Sequence, residues 1–268
     1  MADWASIRRP LFSDDAALVL DKPAGISVMG ERHETDVVRM AADAGEPLFP
    51  AHRIDKVTSG AVLFAREQRL HGDLTRQFSR RTVTKAYLAV TPTVGLPSSG
   101  VIDLPLSVGR KSRIRIGAER GNIGFDPVAH RWSVADADVF THVRTYPSVT
   151  MFATVWADER HTLLVVRPVT GRRHQIRVHF AWIGHELAGD PLFDKSGDGA
   201  RTLLHSWRLG FDAAWLGGRR IDVEAVPGED FLTPFGDSDH LDTARERLAE
   251  LLVSAVPTVP EDGSPSEE

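Results

Sequence analysis

The chain has 268 residues, of which 42% are apolar and 26% charged, a balance that suits a folded globular protein and excludes a disordered one. With no cysteine, it can hold no disulfide, thiolate zinc site, iron–sulfur cluster or cysteine nucleophile. No stretch approaches the ~20 apolar residues needed to span a bilayer, and MADWASIRRPLFSDD carries no apolar run of the signal-peptide kind, so a soluble cytoplasmic protein without a membrane partner is expected.

The net charge of −5 hides an uneven distribution. The segment from Pro257 to the C-terminus carries Glu261, Asp262, Glu267 and Glu268 and no base, whereas residues 50–120 hold thirteen Lys/Arg against five Asp/Glu. Partners answer to local fields more than to net charge, so an anionic partner remains open, as does a merely solvated basic surface.

In chain order, Phe12 to Val28 reads as a hairpin in which AALVL meets the turn-forming DKPAGIS. A short helix is expected over 36–44, ending at Gly45. GAVLFA (60–65) reads as a buried strand, and 67–81 as a helix with Leu70, Leu74 and Phe78 on one stripe. VTKAYLAV (83–90) is rich in strand formers. Residues 98–146 are expected to be loop-rich and basic, densest at RKSRIRIGAERG (110–121). Strands over 150–156 and 161–168 flank a turn at 157–160, and 173–183 reads as a helix stopped by Gly184. Strands are further expected over 202–211 and 220–225, and an amphipathic helix over 243–253. The Pro/Glu/Ser-rich end, 256–268, is expected to be a disordered acidic tail behind one catalytic domain of residues 1–255. Strands cluster with few helices between them, which gives an α+β fold with a mixed, largely antiparallel sheet.

Three constellations could carry chemistry. In HRIDKVTSG (52–60), Asp55 stands among Arg53, Lys56, Thr58 and Ser59 just before a buried strand. Nearby cations favour the ionised carboxylate, although a turn-capping aspartate would give the same pattern. In VTGRRHQIRVH (169–179), Arg173 and Arg177 would stand four apart on one helix face near its start, suited to phosphate or simply solvated. His174 and His179 are five apart, not the four of a zinc-binding helix pair, so no metal site is expected. In KAY (85–87), strand period two sends Lys85 and Tyr87 to one face, a cation beside a stacking ring. No P-loop, GxGxxG after a strand or GxSxG elbow occurs.

HRIDKVTSGAVLFA, KAYLAV, TGRRHQIRVHFAWIGHELAGDPLF and RTLLHSWRLGF, in that order, resemble the motifs of the RluA family of pseudouridine synthases. The resemblance runs from LVLDKPAGISV to the EAVPGEDF stretch. It implies the pseudouridine synthase fold, a central sheet flanked by helices with an active-site cleft, and isomerisation of uridine in RNA without cofactor or metal. By the same resemblance Asp55 is the catalytic aspartate, Arg177 the arginine that pairs with it, and Tyr87 the active-site tyrosine. Arg53 would help displace the target nucleotide, Leu204 would line the base pocket, and Lys85, Arg173 and His174 would contact substrate. The partner implied is ribosomal or transfer RNA, bound by a monomer. Too few residues precede HRID for the S4 domain of many relatives, so the chain resembles the short members. Lys56-Val57 and Met29-Gly30 depart from the usual pattern, and GHELAGD lacks a proline after GH.

Overall fold

The computed structural model describes residues 3–30, 35–195, 201–232 and 234, with positions 242, 243, 246, 247 and 250 beyond them. The acidic tail and most of the helix expected over 243–253 lie outside the described residues. The chain forms two compact units, one of residues 1–87 and 204–227, the other of 88–203 and 228–268.

In the first unit, Pro10–Ser13 and Ala17–Lys22 form the entry hairpin. Its turn lies at Asp14–Ala16, where the Asp14 carboxylate accepts from the backbone N–H groups of Ala16 and Ala17. The expected turn at DKPAGIS instead leaves the sheet, because Pro23 can donate no ladder hydrogen bond. Ala17–Lys22 pairs antiparallel with the fully buried strand Ser59–Ala65. Ser59–Ala65 in turn runs parallel to Leu204–Ala213, which carries Arg219–Glu224 antiparallel on it. The helix Val37–Asp43 is capped by the Asp36 side chain on the Arg39 N–H (2.9 Å) and ends before Gly45, at φ +80°.

The helix Gln68–Ser79 covers one face of this sheet. Leu74 is buried, and Leu70 and Phe78 flank it against a core of Val19, Leu63, Leu209 and Phe211. The i, i+4, i+8 stripe thus does what its spacing predicts. Gln77 fixes the helix to the sheet, donating to the Asp212 carbonyl (2.8 Å) and accepting from the Asp212 N–H (2.8 Å).

In the second unit, Val149–Ala157 and Thr162–Pro168 form a long antiparallel hairpin, extended antiparallel by Ser99–Asp103. Arg131–Ser133 lies parallel to Ser99–Asp103 and antiparallel to Gly124–Asp126. Leu106–Val108, Ile114–Ile116 and Thr145–Tyr146 make a separate three-stranded antiparallel sheet. The stretch expected to be loop-rich therefore holds several strands, each of two to five residues and too short to display a period. The helix expected from Arg173 starts only at Gln175. His174 before it is left-handed (φ 55°), so Arg173 is off the helix and shares no face with Arg177. Both units are α+β with mostly antiparallel strands, as expected.

Candidate active site

Asp55 lies half-buried in a turn between Pro50 and Ser59. The Thr58 N–H donates to the Asp55 carbonyl (3.0 Å), and the Gly25 N–H to the Lys56 carbonyl (2.8 Å). Lys22, wholly buried, donates through Nζ to the carbonyls of Pro23 (2.8 Å), Ile26 (2.8 Å) and Lys56 (3.4 Å). A buried ammonium needs such partners, and here it clips the KPAG turn to the Asp55 turn. His52 stacks on Phe78 (4.4 Å between centroids) while its Nε2 accepts from the Leu63 N–H (3.0 Å). Loss of hydration, with Lys85 nearby, pushes His52 down to about 3, although an edge of the residue still meets solvent. His52 is thus neutral with its Nε2 lone pair engaged, a turn support and no general base.

Tyr87 is 9% exposed, and its phenol sits in the field of the Asp55 carboxylate. Burial, helped by that charge, raises the phenol to about 12, against the opposing hydrogen bond with Ser206. The same Ser206 hydroxyl also donates to the Ala61 carbonyl (3.0 Å). This arrangement depends on Gly60, opposite Ser206 in the parallel register and at φ +103°. A Cβ there would stand 2.3 Å from the Ser206 carbonyl oxygen. One residue away, Ser59 Oγ and His205 Nδ1 lie 2.7 Å apart, and His205 Nε2 lies 2.7 Å from the Ala225 carbonyl. Since Nε2 must donate to that carbonyl, Nδ1 accepts from Ser59.

Arg53 is exposed, and Lys85 is half-buried with its ammonium destabilised by burial and by Arg81. Leu204 is buried at the start of its strand. In the second unit Arg173 is exposed and donates to the Ser112 carbonyl, and His174 is half-buried before the helix. Arg177 is buried, gripped by Asp190 through Nε (2.6 Å) and Nη2 (2.7 Å). Asp190 and Ser206 went unnoticed in the sequence. The first is marked only by the GD of GHELAGD, the second by its place two residues after Leu204. Among the described residues no group of three His, Asp or Glu side chains could hold a metal ion.

The sequence matches the RNA pseudouridylate synthase family over residues 16–182. It is 30% identical over 226 residues to an uncharacterized RNA pseudouridine synthase of Zymomonas mobilis, covering 81% of this chain and 93% of that one. It is 34% identical to the ribosomal large subunit pseudouridine synthase D of Nitrosomonas europaea, covering 74% of this chain and 56% of that one. To the tRNA pseudouridine synthase C of Pasteurella multocida it is 31% identical, covering 68% and 73%. In fold it resembles human RNA pseudouridylate synthase domain containing 4, with a TM-score of 0.64 at 22% identity over 90% of this chain and 92% of that one. With a family match over more than half its length, and with the motif order that the resemblance required, the chain belongs to the RNA pseudouridylate synthases of the RluA type.

Proposed function

We propose that the protein isomerises a particular uridine of ribosomal or transfer RNA to pseudouridine, with Asp55 as the reacting carboxylate and Tyr87 against the extruded base. The observation that carries this reading is the Asp55–Tyr87 pair: a carboxylate in a backbone-clipped turn whose charge reaches a buried phenol that stays protonated. The isomerisation breaks the N1–C1′ bond and rejoins the base through C5; the C5 hydrogen leaves as a proton and N1 takes one up, so there is no net oxidation and no net change in the atoms of the RNA. A carboxylate serves such a step as nucleophile at C1′, by addition to C6, or as a base on the ribose, and Asp55 suits each. A neutral phenol offers a stacking face and a hydrogen bond rather than a charge. The motif resemblance assigns Arg177 to the same reaction, and its doubly bonded guanidinium is a fixed group of the sort such a site needs. Arg53, exposed in the same turn, takes the role the resemblance implies, helping to displace the nucleotide from the stack, an extrusion that costs a few kcal/mol and is offset by stacking.

Of the relatives named above, one is named for ribosomal and one for transfer RNA, and this chain is similar to both. The test is tritium release from C5-labelled, unmodified transcripts of both, with the mass of the RNA otherwise unchanged. Release from one class supports the reading and names the substrate; a free base or a cleaved strand would replace it with hydrolysis.

A further inference from the structure

On the second unit, the ring of Tyr146 carries two guanidiniums, Arg144 at 5.0 Å and Arg172 at 5.3 Å from its centroid. Tyr146 is half-buried in the short strand Thr145–Tyr146, paired with Leu106, while Arg144 and Arg172 are exposed. Among the described residues neither arginine forms an ion pair. Two like charges brought to one ring repel each other, and without a carboxylate between them the arrangement favours an anion.

The backbone beneath is pinned. The Arg172 N–H donates to Gln175 Oε1 (3.0 Å), which also accepts from the Thr170 hydroxyl (2.7 Å). Gln175 Nε2 donates to the Val149 carbonyl (2.9 Å), and Thr170 Oγ1 accepts from the Val149 N–H (3.1 Å). Ser148 donates to the Tyr146 carbonyl (2.9 Å), holding the other side. Next to Arg172, Arg173 reaches the Ser112 carbonyl and so ties this turn to the 110–113 segment, where Arg110 and Arg113 are also exposed. Arg115, in the strand Ile114–Ile116 of the same small sheet, lies 5.6 Å from the Phe140 ring. Asp136 and Asp138 are the acids nearest Arg144 in sequence, and Asp158 and Glu159 those nearest before Arg172; Asp138 is engaged by Asn122 (2.9 Å).

We infer that Arg144 and Arg172, stacked on Tyr146, form a preorganised clamp for the phosphodiester backbone of the substrate RNA. The guanidinium fork matches phosphate, and the ring fixes both side chains before the RNA arrives, so little rotamer entropy is lost on binding. Such contacts carry affinity and register without reading bases. The inference rests on the proposed function for the identity of the anion as RNA.

Its test compares wild type with the Arg144→Ala/Arg172→Ala double variant in the full chain. Binding to fluorescent, unmodified transfer RNA and large-subunit ribosomal RNA transcripts is followed by anisotropy across salt, with turnover measured separately. The clamp predicts affinity lower by about tenfold or more, and a log affinity–log salt slope shallower by about 0.7–0.9 for each phosphate that the variant no longer neutralises. It also predicts a raised KM, with kcat at saturating RNA within about twofold. Arg144→Lys/Arg172→Lys, which keeps charge but removes the fork and the stacking, should restore the slope but only part of the affinity. Unchanged affinity and slope in a double variant that melts like wild type would overturn the clamp, and so would reduced affinity with an unchanged slope. Wild type that binds RNA through these arginines yet isomerises none would instead count against the proposed function, because the binding arm needs no turnover.

Discussion

Arg177 and Asp190 form a buried, two-pronged ion pair, the carboxylate taking Nε at 2.6 Å and Nη2 at 2.7 Å. Asp190 Oδ1 also accepts from the Leu192 N–H (2.9 Å), so the arginine is fixed to the loop after its helix as well as to the helix itself. The arginine of the motif is therefore not a mobile surface cation of the kind that a basic helix end suggests. It is a held group, oriented by a carboxylate that the sequence did not single out.

Removing that carboxylate should be costly. Asp190→Ala leaves a buried guanidinium without its principal counter-charge and should destabilise the protein by about 3–5 kcal/mol. Urea unfolding followed by circular dichroism measures it, and a loss below about 1 kcal/mol would mean that water or another carboxylate replaces Asp190.

Ser206 should matter only through Tyr87. Ser206→Ala removes the hydrogen-bond partner of the phenol and should lower kcat with RNA affinity retained. In a Tyr87→Phe background the same substitution should have almost no further effect. Additive losses in the double-mutant cycle would show that Ser206 acts on the strand rather than on the phenol.

Two pH windows follow from His52 and Tyr87. His52 is held at about 3 against an ordinary 6.5, so between these values the unfolded chain binds the extra proton and stability falls as the pH is lowered. Tyr87 is raised from 10.0 to about 12, so here the folded chain keeps the proton longer and stability falls as the pH rises through that interval. Denaturant midpoints of His52→Gln should show a flatter acid limb than wild type, and those of Tyr87→Phe a flatter alkaline limb. Parallel curves for variant and parent would remove these groups from the account.

Leu74→Ala opens a cavity under the helix Gln68–Ser79 and should cost about 2–5 kcal/mol, whereas Leu70→Ala, at the margin of the same stripe, should cost less. Equal losses would place the helix differently on the sheet.

Much of this was legible in the chain. The strand Ser59–Ala65 is an unbroken apolar run because it is buried throughout, and the Leu70–Leu74–Phe78 stripe announces its helix. Asp55 and Tyr87 stand inside ordered motifs, which is why they could be named. What could not be read depends on contacts distant in sequence. Asp190 reaches Arg177 across thirteen residues of chain, and Ser206 meets Ala61 and Tyr87 only because Gly60 lets two strands approach. The strands of 99–146 are too short for periodicity, and His174 breaks the helix pattern with a left-handed backbone that a basic sequence does not advertise. The Arg144–Tyr146–Arg172 cluster joins two segments with no shared motif.

The most direct test is single-turnover tritium release from a C5-labelled transcript by wild type and by Asp55→Asn, at enzyme concentrations that saturate the RNA. The substitution keeps size and shape, removes the charge and turns one accepting oxygen into a donating amide nitrogen. Wild type should release tritium and Asp55→Asn none above background, with equal RNA affinity and a melting temperature within a few degrees. Release by Asp55→Asn at a rate near that of wild type would contradict this and take the reaction away from this carboxylate.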